Sequence, residues 1–490
     1  MTKKTLNPTR RDILVGAGAT LTAISLADLL KPFEALAETP KKGGKFVYAG
    51  IPSSKHKTLK KAKHPYYGLE IRTTITYDRL TWVDENLNVV PQLATSWEAV
   101  EDDQTVWEVD IREGVKFHDG RDLTVEDVVA SYKMHKDKKL GTSFSKKLVK
   151  DVEKAGSRKV RFHLLSPNSE LPWWMAEYRQ AIMPAEELSK MGYSGIGTGP
   201  FKFVKIDPGR RVIYEPNENY WGDGPYLDQL EVISQKGVDP VNAYLSGQID
   251  AILQADPGLI GQFKARDDTV VDVATSGDQI LMVLPKFDDS IFNDKRIRQA
   301  LSLALDREKI VRIAYDGLGW VSNDSHMHAA SPDFLAKSPI RDVAKAKKLL
   351  EEAGYPSGIT LPTFYYAPYY PEIGRVFQVA AESVKDAGIT MPIEERPLDG
   401  YRKWRVEDKK KTRKHRFAMG PVGARNSSAN MFRMARPTYN ESGYWHPSTQ
   451  GDTYIAMYNK AMMTGDPVER RNIYYEMQRL LQRDVPSIFL

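Results

Sequence analysis

Residues 105–117 read TVWEVDIREGVKF, with Trp107, Val109 and Ile111 on one side of a two-residue alternation and Glu108, Asp110 and Arg112 on the other. That period predicts a strand with one face in a core and one in water, turning at Glu113-Gly114. Thr124-Val125-Glu126-Asp127 follows as a capping box, and Val125, Val128, Val129 and Tyr132 form the apolar face of the helix it opens. Val160, Phe162 and Leu164 alternate as another strand. Beyond Phe287 the texture shifts to longer helices. Asn293 or Asp294 can cap one through Ile297, Ala300, Leu301 and Ala304, and Asp342 can cap another that ends at Gly354. Ile373, Val376, Phe377, Ala380, Ala381 and Val384 form an apolar stripe that ends at Gly388. Helices mixed with short strands on both sides of Phe287 predict an α/β protein of two lobes.

A chain of 490 residues exceeds the ~250 to 300 at which one core stops growing, so more than one domain is expected. There is no Cys, which excludes disulfides, thiolate metal sites and a Cys nucleophile. The formal charge of +6 says little about partners. Two basic runs, residues 55–64 and 409–416, lack the interleaved aromatics of single-strand binders, so no nucleic-acid partner is expected. Near the start, Arg10-Arg11 precedes an apolar run over residues 13–30 and the small-residue site Ala35-Leu36-Ala37. This is a twin-arginine export pattern, with residues 1–37 as signal peptide and cleavage after Ala37. Gly16, Gly18, Thr20, Thr22 and Asp28 dilute the run too far for a permanent anchor. After Leu30 no apolar stretch reaches the ~18 residues of a membrane span.

Catalytic signatures fail on spacing. Gly192-Tyr193-Ser194-Gly195 lacks the last glycine of a nucleophile elbow, and no His-Glu-x-x-His occurs. Gly197-Thr198-Gly199-Pro200 lacks the Lys-Ser/Thr of a phosphate loop. His326-Met327-His328 is the one close histidine pair; extended, its rings point apart, and a metal would need a bent loop and distant ligands. No acid, base and nucleophile converge, so no enzyme and no cofactor are expected. Aromatics are the positive feature: Tyr365, Tyr366, Tyr369 and Tyr370, then Tyr401 and Trp404, then Tyr444 and Trp445 fall in polar stretches. Such residues line ligand sites because they offer large contact area at low entropy cost; each alone suits a core better, and it is their clustering that favours a binding site.

Several segments in order resemble the extracellular solute-binding proteins of peptide and nickel ABC importers, the dipeptide and oligopeptide-binding family. They are VVPQLATSWE (89–98), VKFHDGRDLTVEDV (115–128), GTGPFKFV (197–204), NENYWGDGPYLDQL (217–230), YLSGQIDAI (244–252) and DKRIRQALSLALDREKIV (294–311). The resemblance implies a two-lobed periplasmic binding protein fold with an inserted subdomain in lobe I and a central ligand cleft. Lobe I would comprise residues 38–75, 197–284 and 466–490, the inserted subdomain 76–196, and lobe II 285–465. The partners implied are a small-molecule ligand and a permease in the inner membrane, with the binding protein a periplasmic monomer. Closure of the lobes on the ligand would shift a population between open and closed states.

Two departures from the family pattern matter. Peptide binders carry a carboxylate for the ligand's amino end in a lobe II loop that here reads GARNSSAN (423–430) and has none. A non-peptide or anionic solute is therefore expected, with Arg425, Asn426, Asn430 and Arg433 as polar contacts and Tyr401, Trp404 and Trp445 as stacking walls. Family members also usually continue past the segment matching residues 484–490, so a longer gene product is expected, with Val485, Ile488 and Phe489 in a strand that pairs in lobe I. A metal or metal-complex carrier using His326, His328 and His415 is the variant reading; an exported hydrolase is the alternative from another class.

Overall fold

A computed structural model describes residues 40–50, 73–84, 87–137, 145–188, 195–207, 210–234, 239–253, 255–273, 279–284, 290–336, 338–398, 401, 418–422, 428, 431–432 and 450–490. The stretch at 105–117 behaves as its alternation requires. Strand Val106–Ile111 buries Trp107, Val109 and Ile111 and pairs antiparallel with Ala94–Ala99 and with Lys159–Leu164, beyond which lies Val149–Lys154. Helix Val125–Lys136 covers the apolar face of this four-stranded sheet, with Tyr132 edge-on to Phe162 at 4.8 Å. The capping box is made: Thr124 N–H donates to Asp127 Oδ2 (2.9 Å), and Asp127 N–H donates to Thr124 Oγ1 (3.4 Å).

A second sheet gathers distant parts of the chain. Its strands run in the order Ala251–Ile252, Lys45–Gly50, Gln229–Ser234, Arg211–Pro216, Phe201–Asp207. The first three are parallel and the last two antiparallel. Gly197 and Gly199 seat the loop ahead of it against the backbone of residues 75–76. A Cβ on Gly197 would stand 2.0 Å from Thr76 O, and one on Gly199 would stand 2.7 Å from Thr76 C. Close backbone approach, and no phosphate, is what the two glycines serve. Gly197→Ala is expected to destabilise the protein by about 1–3 kcal/mol through overpacking. Urea unfolding of the two proteins checks this, and an unchanged midpoint would refute it.

The third large sheet runs Ile393–Glu395, Phe364–Tyr366, Ala418–Val422, Gln279–Val283, Ile488–Phe489. Helices Lys295–Ala304, Arg307–Ala314, Val343–Glu352 and Ile373–Lys385 pack into the same core. Asp294 and Asp342 cap two of them, accepting from Arg296 N–H and Lys345 N–H at 2.8 Å each. The apolar stripe is buried as expected at Ile373, Val376, Phe377, Ala380 and Val384.

The C-terminal strand completes the third sheet. Ile488–Phe489 pairs antiparallel with Leu281 and Met282, in the sheet that also holds Phe364–Tyr366 and Ala418–Val422. Long-range polar contacts decide the pairing. Arg307 donates to Phe489 O (2.7 Å) and Asp324 accepts from Phe489 N–H (2.9 Å). Arg298, fully buried, donates to Asp484 O (2.8 Å), Val485 O (3.0 Å) and Phe292 O (2.7 Å). Desolvation lowers its pKa to about 10, which leaves it charged at neutral pH against the carbonyl end of helix Pro467–Asp484. Between the helix and the strand, Val485 adopts a left-handed φ of 43°, rare for a β-branched residue and invisible to pattern.

Candidate ligand cleft

A cavity of about 1140 Å³ lies between the sheet built on Lys45–Gly50 and the sheet built on Gln279–Val283. Phe46, Tyr48 and Leu230 line it from the first sheet, and Gln279, Ile280 and Leu490 line it from the other. Helix Arg307–Ala314 and the segment after it close one wall through Ile310, Tyr315, Trp320 and His328. The crossing chain between the sheets contributes Pro257, Ile260 and Phe263. The volume exceeds the roughly 300–1,000 Å³ of drug-sized pockets, so a solute larger than a single amino acid fits.

The charge of the walls runs one way. Among the described residues the lining includes Asp250, Asp268, Asp272 and Glu372 and no Lys or Arg. Two of these carboxylates are committed to the fold: Asp250 accepts from Val47 N–H (2.7 Å), and Asp268 pairs with Arg266 (2.7 Å). Glu372 sits at the N-cap of helix Ile373–Lys385 with 8% of its surface exposed and makes no capping bond. Desolvation, with Asp256 nearby, holds its pKa above the ordinary glutamate value. His328 accepts from Ala330 N–H at Nδ1 (3.0 Å) and meets Trp320 edge-on, whereas His326 packs on Phe489. The two rings thus serve different neighbours, and among the described residues no cluster of three metal-ligating side chains forms.

Of the seven residues proposed from sequence, Tyr401 alone is described. It is buried and does not line the cavity: its hydroxyl donates to Tyr365 O (2.8 Å) and its ring meets Tyr369. The phenol buries cheaply because its hydroxyl has a partner. Trp404, Arg425, Asn426, Asn430, Arg433 and Trp445 lie outside the described residues, as do His415 and the export segment. From the tyrosine cluster the cleft takes Tyr370. Sequence reasoning missed Tyr48, Trp82, Tyr244, Phe263, Tyr315 and Trp320. Tyr48 and Tyr244 lie in strand- or helix-like patterns that read as core, and no local feature marks them as facing an empty space.

Comparison with known proteins decides the family. The model of the bacterial extracellular solute-binding proteins, family 5 Middle, matches residues 88–443. The chain belongs to this family. Oligopeptide-binding protein AppA of Bacillus subtilis is 31% identical over 318 residues, an alignment that spans 57% of this chain and 54% of that protein. The dipeptide-binding protein of Escherichia coli is 24% identical over 446 residues, covering 82% of this chain and 80% of its own. Among solved structures, NikA of Brucella suis in complex with Fe(III)-EDTA superposes with a TM-score of 0.75 at 18% identity, covering 91% of this chain and 93% of that one. At that identity the superposition shows the fold alone: a two-lobed solute-binding protein of α/β class. The family and the relatives named are solute-, oligopeptide- and dipeptide-binding proteins.

Proposed function

We propose that this family 5 solute-binding protein is the periplasmic component of an ABC importer. It captures a small solute in the cleft between its two lobes and presents the closed form to an inner-membrane permease. The observation that carries the reading is the cavity of about 1140 Å³ between the two sheets, walled by aromatic side chains from the first sheet (Phe46, Tyr48), from the crossing chain (Phe263) and from the segment after helix Arg307–Ala314 (Tyr315, Trp320). Such walls contact one ligand from both sides only when the lobes approach, which couples binding to closure. The twin-arginine pattern at Arg10-Arg11 is the proposed route across the membrane. The protein acts as a monomer in this reading.

The loop 423–430 without a carboxylate supports a ligand that is not a peptide held at that loop by its amino end. Arg425, Arg433, Asn426 and Asn430, with Trp404 and Trp445, stay the candidates for a carboxylate, phosphate or hydroxyl-rich end of the solute. The described walls bear carboxylates without Lys or Arg, which favours a solute with more than anionic character.

Mass spectrometry of solutes released from protein purified out of native periplasm tests the proposal. Expected is one dominant solute that, added back to stripped protein, lowers the radius of gyration in X-ray scattering. Turnover of that solute, or no compaction with any released compound, would overturn it.

A further inference from the structure

We propose that Glu372 is a recognition site for an organic cation, an ammonium or guanidinium group carried by the solute. This rests on the cleft being the ligand site, and it names a chemical feature of what enters. Glu372 is more than nine-tenths buried and lines the cavity, as does Val376 one helical turn further along. Both therefore lie on the helix face turned toward the cleft. Among the described residues, the Glu372 carboxylate has no ion pair and no side-chain hydrogen bond; its one hydrogen bond is to its own backbone amide.

The nearest cation is already engaged. Arg375 gives its guanidinium to Asp256, with Nη2 to Oδ1 at 2.6 Å and Nη1 to Oδ2 at 3.2 Å. Asp256 lies on the chain that crosses between the sheets and is fixed further by Gly258 N–H (2.9 Å). Arg375 thus spends its hydrogen bonds on a different carboxylate, and its charge reaches Glu372 only as a through-space attraction. A buried carboxylate left in this state lacks a hydrogen-bonded cationic partner, and a ligand cation that docks there supplies one.

The surrounding wall suits the same chemistry. Tyr315, Trp320 and Tyr370 line the cavity that Glu372 enters, and aromatic faces attract ammonium and guanidinium groups. An inorganic ion has less to recommend it, since the described residues offer no third metal-ligating group beside Glu372. The N-terminus of a 13-residue helix offsets part of the desolvation cost of the ionised carboxylate, and a bound cation would offset the rest.

Calorimetric titration of the full mature protein, stripped of solute, tests this with agmatine, cadaverine, spermidine and a lysine-containing tripeptide, each beside its N-acetylated or neutral counterpart. At least one cationic probe should bind, its neutral counterpart should bind at least tenfold more weakly, and Glu372→Gln should weaken the cation at least tenfold. Glu372→Asp should fall between the two. Melting of Glu372→Gln at or above the parent temperature is the expected control, because the substitution removes a desolvated charge. If no cationic probe binds, or if Glu372→Gln leaves its affinity unchanged, the inference fails. Stabilisation by calcium or nickel chloride alone, lost in Glu372→Gln, would also overturn it in favour of an inorganic ion. Compaction by a released solute whose affinity ignores Glu372→Gln would remove the cation site and leave the binding function standing.

Discussion

Arg307→Ala should lower the stability of this protein by about 3–5 kcal/mol, the range for breaking a buried ion pair by removing one partner. Arg307 is 3% exposed and Asp324 fully buried, with Arg307 Nη2 donating to Asp324 Oδ1 at 2.7 Å. The same guanidinium donates to Ser302 O (2.9 Å) and Phe489 O (2.7 Å). Its loss would strand a charge and two carbonyls in a dry core. Asp324 also accepts from Phe489 N–H, so the pair ties the C-terminal strand to helix Arg307–Ala314. Because Leu490 and Trp320 line the cleft on either side of this tie, ligand affinity should fall with stability. Guanidinium unfolding of the parent and of Arg307→Ala, Asp324→Ala and the double variant measures both the loss and the coupling. A single-variant loss below about 1 kcal/mol would mean that the pair is solvated and weak.

Replacing Arg10 and Arg11 together with Lys should stop export. Lysine preserves charge but lacks the planar, multiply donating guanidinium. Uncleaved precursor should then accumulate in the cytoplasm while the parent is found in the periplasm without residues 1–37. The apolar run between residues 13 and 30, diluted by glycines, threonines and Asp28, offers little to the general secretion route as a substitute. Cell fractionation and intact mass of the exported chain give the readout. Normal periplasmic yield from the double variant would remove the twin-arginine route and leave the binding function untouched.

Local patterns announced most of the elements. The alternation at Trp107, Val109 and Ile111, the caps at Thr124, Asp294 and Asp342, and the stripe from Ile373 to Val384 each depend on neighbours within a turn or a strand, so they can be read without partners. The ordered resemblance extended that to two lobes and a cleft. The cleft's walls were much less legible. Tyr315, Trp320 and Glu372 acquire their role from what lies across the gap, and burial of Tyr401 depends on a carbonyl 36 residues away.

The return of the chain shows the same division. Ile488 and Phe489 read as strand residues from their side chains alone, yet nothing local says which sheet accepts them. Arg298, Arg307 and Asp324, remote in sequence, satisfy the backbone of residues 484–489 and draw the strand beside Leu281 and Met282. A backbone that enters a core must have every polar group paired, and those partners come from wherever the fold supplies them. Two α/β lobes and membership of a solute-binding family were therefore written in contiguous residues. The partner of the last strand, the aromatic walls and the burial of Glu372 arose from long-range packing, because burial and charge balance are properties of neighbours in space.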